Sequence, residues 1–301
     1  MKLLVLTALL VGIFKLVDLP YFLAAVATKA QLICLEIEPN LTSEKDTLSA
    51  LVCGQKISDE TSFMNLRATG LIHIFVISAG HLVVLSQILL FLKTPRLCVS
   101  LILFFFTLMT GWQAPCVRSL IGAALGFYFS KQKNYLSAPQ LVFFTGLLTL
   151  ALFPDWCSSL SLQLSWAAAL ALSLASTFRN KNYSDLQHLI LTSALVFLVL
   201  LPFMQSLGGV HPLSIIWNIT LGSVTALLLF PLSVLSFVSP FCLELLEKIM
   251  KAFWWSLRLS HDFKFEPVPA TSSLVRGWIW IFSLHLVLHL SAIFYQRNYK
   301  T

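Results

Sequence analysis

The chain has 301 residues, of which 57% are hydrophobic and 11% are charged, and its mean hydropathy is +0.84. Soluble domains carry about 25% charged residues, so the composition excludes an ordinary soluble domain and predicts an all-α, polytopic membrane protein. The net charge of +7 fits either basic cytoplasmic loops or an anionic substrate, and charge alone does not distinguish the two.

The first element is an apolar N-terminal segment, residues 1–27, which contains the stretch LLVLTALLVGIF. Lys2, an apolar core and the small residues AVA at the end are features of a signal peptide. Because a chain with many later spans needs no cleavage, we interpret this segment as an uncleaved, signal-anchor-like span.

Residues 28–69 form a polar segment that is too short for an independent core. Its second half predicts an amphipathic helix from about Asp59, with Ser58 or Asp59 as the N-cap. The segment also holds Cys34 and Cys53, which could form a disulfide if it faces an oxidising compartment.

Residues 70–301 predict a transmembrane domain of closely spaced helices, so that the whole chain forms a bundle of about 8–10 spans. Several segments are shorter than the roughly 20 residues of a full span, which predicts tilted, partly inserted or internally packed helices. The predicted spans are 70–92, 97–112, 114–130, 136–153, 158–178, 188–205, 212–238 and 274–296. Residues 241–260 mix charges with tryptophans and predict either an interfacial amphipathic helix or a poorly hydrophobic span.

Basic residues in alternate loops predict the orientation of this bundle. They lie at 93–96, 131–133, 179–181 and the C-terminus, whereas the intervening loops contain no Lys or Arg. The positive-inside rule therefore places the first set in the cytoplasm and residues 28–69 outside it. The C-terminus is cytoplasmic if 241–260 spans the membrane and outside if that helix lies flat.

Polar side chains within the predicted spans lie in the outer half of the membrane or near its midplane. With a rise of about 1.5 Å per residue, Arg118, Gln163 and Asn218 lie roughly 6 to 9 Å from the outer ends of their spans. Ser78 and His81 lie roughly 12 and 16 Å in. Such groups usually face a bundle interior or a hydrated cavity, so they predict a positively charged vestibule that opens outward. The structural alternatives are a buried, hydrogen-bonded histidine, an arginine that reaches the interface, and amides that join helices.

Other residues of the same spans have simpler predicted roles. Ser165 belongs to the predicted substrate path, although its hydroxyl is expected to bond a backbone carbonyl of its own helix. Gly122, Ala123 and Gly126 are expected to allow close helix packing. Pro231 lies inside a span and predicts a kink.

Four motifs occur in order along the chain. They are ALVCGQKI with TGLIHIFVISAGH, then TGWQAPCVRSLIGAAL, FPDWCSSLSLQLSWAAALAL and LLPFMQSLGGVHPLSIIWNITLGSVTALLLFPL. Together they resemble the membrane competence domain of the ComEC competence-protein family, from about Thr47 to about Pro267.

The resemblance implies a bacterial inner-membrane channel that passes incoming single-stranded DNA into the cytoplasm during natural transformation. No H-x-H-x-D-H motif occurs in the sequence, so we expect the family's metallo-β-lactamase-like domain to be lacking, and we expect at most a remnant of its OB-like domain in residues 28–69. We therefore expect no enzymatic activity, metal or cofactor. The expected partners are the lipid bilayer and other competence proteins, namely a separate nuclease, a helicase or motor and a DNA-binding protein. A homo-oligomer is also compatible with the sequence.

Two other functions stay open. One is a permease for a smaller anionic solute that uses the same vestibule, and the other is a degenerate family member that acts only within a larger complex. An intramembrane enzyme with a Ser78–His81 dyad is disfavoured, because the sequence shows no oxyanion hole and no third catalytic group.

Overall fold

The structure is a computed structural model that describes residues 12, 18–39, 45–75, 79–132, 136–177, 184–206, 214–259 and 274–298. Throughout these ranges the regular structure is helical and no strand occurs, so the predicted all-α fold is confirmed. Ser78 lies outside the described residues.

The helices are numbered in chain order. They are α1 (Leu19–Ile37), α2 (Lys45–Leu48), α3 (Glu60–Ala68), α4 (Ile72–Phe75), α5 (Ala79–Phe91), α6 (Arg96–Met109), α7 (Ala114–Lys131), α8 (Ala138–Leu152), α9 (Leu160–Thr177), α10 (Asp185–Ser206), α11 (Ser214–Trp217), α12 (Phe230–Leu235), α13 (Pro240–Leu259) and α14 (Leu274–Asn298). The described ranges also contain the π-helical turns π1 (Ser49–Cys53), π2 (Asn218–Gly222) and π3 (Thr225–Leu229), and a 3-10 turn at Pro154–Ser158.

Local sequence sets where several helices begin. The side chain of Asp59 accepts a hydrogen bond from the Ser62 backbone N–H at 2.7 Å, which confirms Asp59 as the N-cap of α3. At α8, Ser137 and Gln140 form a capping box, in which Gln140 Oε1 accepts from the Ser137 N–H at 3.0 Å.

The predicted kink at Pro231 takes the form of a π-helical distortion. Proline lacks an N–H, and its ring clashes with the carbonyl four residues earlier in a regular helix. In the preceding turn π3, the Phe230 N–H reaches the carbonyl of Thr225, five residues back. The wider turn accommodates the proline without ending the run of helix.

Helix α7 lies at the centre of the described fold, in contact with α5, α6, α8 and α9. Its glycines allow this: Gly122 faces Thr145 of α8, and Gly126 faces Leu141 of the same helix. The predicted close packing is confirmed for these two glycines. The first residues of α7, Ala114–Arg118, are all buried among these neighbours.

Three hydrophobic clusters hold the described helices together, and the smallest joins α1, α6 and α7 through Ala27, Leu108, Trp112 and Val117. The main core joins π1, α3, α5, α6, α12 and α13, and the second core joins α9, α10 and α14. Buried members of the main core include Leu48, Leu51, Leu66, Phe75, Leu103, Phe230, Met250 and Phe253. Those of the second core are Trp166, Ala167, Ala171, Val199, Leu200, Phe203 and Ile281.

Helix length distinguishes two of the predicted spans from the others. Among the described residues, Asp185–Phe203 (19 residues) and Ser214–Leu235 (22 residues) are long and apolar enough to cross a membrane. Five further helices, Gly80–Phe91, Arg96–Met109, Ala138–Leu152, Leu160–Ser176 and Leu274–Leu290, are apolar but shorter. Helix length and composition alone therefore give weak support for a membrane protein.

The N-terminal boundary predicted between residues 27 and 28 falls inside one continuous helix, α1. The end of α1 holds π1 at two points. The Glu38 carboxylate accepts from Ser49 Oγ at 2.7 and 2.8 Å, and Cys34 forms a disulfide with Cys53, with the two Cα atoms 5.7 Å apart. Turn π1, whose residues are all buried, is thus fastened to α1 at both ends.

Candidate substrate path

Arg118 and Ser165, two residues of the predicted path, meet in the interior. Arg118 lies near the start of α7, Ser165 lies on α9, and Arg118 Nε donates a hydrogen bond to Ser165 Oγ at 3.0 Å. Arg118 is 4% exposed and Ser165 is 9% exposed, so the arginine does not reach the interface. The hydroxyl of Ser165, expected to serve its own helix, instead accepts from a second helix.

The charge of Arg118 has no acidic neighbour among the residues that the structure describes. Within the described residues no carboxylate forms an ion pair with it, and the ion pair between Lys248 and Glu244 lies on an exposed face of α13. Burying a cation without a counter-ion is unfavourable by several kcal/mol. An anion that reached this guanidinium would meet no competing carboxylate from the described part of the chain.

Gln163 lies two residues before Ser165 on α9 but faces a different helix. Its side-chain Nε2 donates to the carbonyl of Leu274 at 2.9 Å, and its Oε1 lies so close to Gly277 that a Cβ there would overlap it. Gln163 is 1% exposed. It therefore joins α9 to α14, as the structural alternative for this residue predicted.

His81 and Asn218 also have separate surroundings. The buried imidazole of His81 packs edge-on against Phe230, with ring centroids 4.7 Å apart. Asn218 Nδ2 donates to the carbonyl of Ser214, one turn earlier in its own helix, at 2.7 Å. The structure thus brings together Arg118 and Ser165 and turns the other described path residues to different partners.

A comparison with known families supplies the identity of the chain. The model of the Competence protein family matches residues 51–298. The chain belongs to the competence protein family. No curated protein and no solved structure is significantly similar to it.

In this competence protein, the first two sequence motifs meet at a joint that sequence reasoning did not foresee. Gln113, just before α7, donates from Nε2 to the carbonyl of Gly54 at 2.7 Å. Gln31 on α1 donates from Nε2 to the carbonyl of Cys53 at 2.8 Å. The signal for it lay in the glycines of VCGQ and TGWQ, because Gly54 and Gly111 have positive φ angles of 71° and 79°.

A second contact that the sequence did not reveal lies deeper, between α9 and α14. Trp166 is fully buried, and its Nε1 donates to His285 Nε2 at 2.9 Å. The imidazole of His285 therefore presents an unprotonated Nε2 to the indole. Together with Gln163, this bond fixes α14 against α9.

Possible metal ligands and carboxylates with shifted pKa values are the remaining chemical groups of the described part. No cluster of three or more His, Cys, Asp or Glu residues that could hold a metal ion occurs in the described part. In the polar segment, burial raises the pKa of Glu38 above its usual range, while the hydrogen bond from Ser49 opposes this shift. Hydrogen bonds from Ser62 lower the pKa of the exposed Asp59, as expected for a helix N-cap.

Proposed function

We propose that this competence protein is a multi-pass channel of the bacterial inner membrane that conducts incoming single-stranded DNA, and that Arg118 contacts its phosphates. The observation that supports this is the buried Arg118 guanidinium without an acidic partner among the described residues. Arginine matches the geometry of phosphate oxygens. Phosphate contacts supply most of the sequence-independent affinity for nucleic acids, which suits uptake of DNA of any sequence.

The helix surfaces support insertion into a bilayer. Helix α14 exposes Val275, Ile279 and Leu286, each more than half accessible, and α1 exposes Tyr21 and Phe22 to a similar extent. Soluble monomers rarely show apolar faces of this kind over several helices. We propose that the shorter apolar helices also cross or enter the bilayer, packed against the two long ones.

Contacts at the helix ends support a spanning orientation for α13. Trp254, near the end of α13, donates from Nε1 to Thr47 Oγ1 at 3.2 Å, and Trp278, near the start of α14, donates to the carbonyl of Cys157 at 2.7 Å. Thr47 and Cys157 both lie in segments that the loop charges place outside the cytoplasm. In this proposal α13 runs outward, α14 runs inward, and the C-terminus is cytoplasmic.

We propose that the chain has no covalent chemistry of its own. Nuclease, motor and DNA-binding activities would come from other competence proteins, and a second copy of the chain is compatible with the same arrangement. A permease for a smaller anionic solute is the second candidate, because a single guanidinium beside one hydroxyl also fits a small anion.

A transformation assay tests the proposal. In a naturally transformable host whose own gene is deleted, Arg118→Ala should strongly lower transfer of marked DNA into the cytoplasm and leave surface-bound DNA intact. Arg96→Ala is the matched control, since Arg96 is an exposed arginine at the start of α6. If transformation is unchanged while uptake of one anionic solute falls, the permease is correct and the DNA channel is wrong.

A further inference from the structure

We infer that Gln113 is a positioning residue for Arg118. Its side chain bonds the start of α7 to the backbone of Cys53–Gly54, here called the support, and α1 holds that backbone in place. This inference rests on the proposed function of Arg118. It concerns residues that do not touch the substrate but determine where the guanidinium lies.

The first observation is that Gln113 connects α7 to π1. Its backbone carbonyl accepts from the N–H groups of Cys116 and Val117 at 3.0 Å each, the first hydrogen bonds of α7. Its side-chain Nε2 donates to the carbonyl of Gly54 at 2.7 Å. The residue that begins the helix is therefore also bonded to a separate segment, about one and a half turns before Arg118.

The second observation is that Cys53, next to Gly54, is held by α1. Cys34 binds it through the disulfide, and Gln31 donates to its carbonyl at 2.8 Å. Gln31 and Cys34 are three residues apart on a helix and share one face. One face of α1 thus holds Cys53 by a covalent bond and a hydrogen bond, which makes the neighbouring carbonyl of Gly54 a fixed acceptor.

Two glycines allow the three segments to approach this closely. Gly54 has a φ of 71°, and a Cβ there would overlap the carbonyl oxygen of Thr110. Gly111 has a φ of 79°, and a Cβ there would lie 2.7 Å from Gln31 Oε1. Because side chains are excluded at both positions, the amides of Gln31 and Gln113 reach the backbone directly.

The consequence for Arg118 follows from the length of its bond. The distance from Nε to Ser165 Oγ is 3.0 Å, and a contact of about 3.6 Å is no longer a hydrogen bond. A shift of the start of α7 by well under 1 Å would therefore break it. Without the Gln113 amide, the first turn of α7 loses its side-chain bond to the support and the guanidinium loses its fixed position.

Gln113→Leu tests this inference, with Cys116 as a built-in reporter. Cys116 lies between Gln113 and Arg118 and is fully buried. In the full-length protein with Cys98, Cys157 and Cys242 replaced by serine, a maleimide should label Cys116 roughly tenfold faster in Gln113→Leu, the factor given by about 1.4 kcal/mol. Gln140→Leu is the matched control, because it removes a glutamine from the start of α8 and should leave the labelling rate unchanged.

Further variants distinguish positioning from general loss of structure. Gln113→Glu keeps the length of the side chain but cannot donate to Gly54, so it should act like Gln113→Leu. Gln31→Leu should have a smaller effect, because the disulfide still holds Cys53. All variants are compared at equal abundance and with a monodisperse elution profile in detergent.

The uptake assay then asks whether Gln113 acts through Arg118. Gln113→Leu should lower DNA uptake several-fold, and adding it to Arg118→Met should lower uptake no further. Additive losses, or unchanged labelling of Cys116 in both Gln113 variants, overturn the inference. If Arg118→Met alone leaves uptake unchanged, the proposed function is wrong, while the labelling result still decides whether Gln113 positions the start of α7.

Discussion

Replacing Arg118 by methionine should separate the stability of this protein from its function. Methionine has a similar length, and it can fill the space between α7 and α9 without a charge. We expect Arg118→Met to leave the free energy of unfolding unchanged or to raise it, and to lower DNA uptake strongly. A residue retained only for packing would show the opposite pattern.

The magnitudes follow from the surroundings of the guanidinium. Transfer of the cation from water is unfavourable by several kcal/mol, and the 3.0 Å hydrogen bond to Ser165 returns about 1.5–3 kcal/mol. Apolar replacement of buried ionic groups is often neutral or stabilises by about 1–4 kcal/mol. Loss of one charged contact to phosphate, about 1.5–3 kcal/mol, should lower uptake roughly tenfold to hundredfold.

Two measurements test this prediction. Thermal unfolding in detergent, followed by tryptophan fluorescence, gives the stability change, and transformation frequency in the deletion host gives the function. Arg96→Met serves as the exposed control and should change neither. A destabilisation of more than about 2 kcal/mol by Arg118→Met would refute the reasoning, because the guanidinium would then be a structural link between α7 and α9.

Three further predictions concern the structural framework. Gly277→Ala should destabilise the protein by about 1–3 kcal/mol, because its Cβ would overlap Gln163 Oε1; thermal unfolding with Ala168→Gly as the comparison measures this. Removal of the disulfide by Cys34→Ser with Cys53→Ser should cost about 3 kcal/mol for its separation of 19 residues, and equal stability of both forms under oxidising conditions would contradict it. Because burial raises the pKa of Glu38, the folded state binds its proton more tightly than the unfolded chain, so stability should fall as the pH rises from the ordinary pKa of 4.5 through the raised pKa. In Glu38→Gln this fall should be absent when unfolding is measured across that range.

Much of the fold could be predicted from the sequence, because long apolar runs between basic loops leave little choice of secondary structure. The predicted spans 97–112 and 114–130 correspond to α6 (Arg96–Met109) and α7 (Ala114–Lys131). The position of Arg118 within an apolar segment also indicated a polar side chain in the interior. These features depend on each segment alone, and local sequence determines them.

The partner of each polar side chain could not be predicted in the same way. Gln163 bonds to the backbone at Leu274, and Trp254 bonds to Thr47, across more than a hundred residues of sequence in both cases. Position along a helix follows from residue spacing, but the direction of a side chain around the helix depends on which neighbour packs there. Gln163 and Ser165 illustrate this, since they lie two residues apart on α9 and face different helices.

The described arrangement buries the Arg118–Ser165 pair between α7 and α9, and both helices also pack against α8. Passage of a polyanion along this path requires α7 and α9 to separate at that point. Separation breaks one hydrogen bond of about 1.5–3 kcal/mol, and it returns the guanidinium to water or to an incoming phosphate. Because the buried cation is otherwise uncompensated among the described residues, a phosphate that replaces Ser165 would offset the loss of the contact. We therefore expect substrate itself to favour the open state, and Ser165→Ala, which removes the acceptor that positions the guanidinium, to lower DNA uptake several-fold in the transformation assay, as Gln113→Leu does.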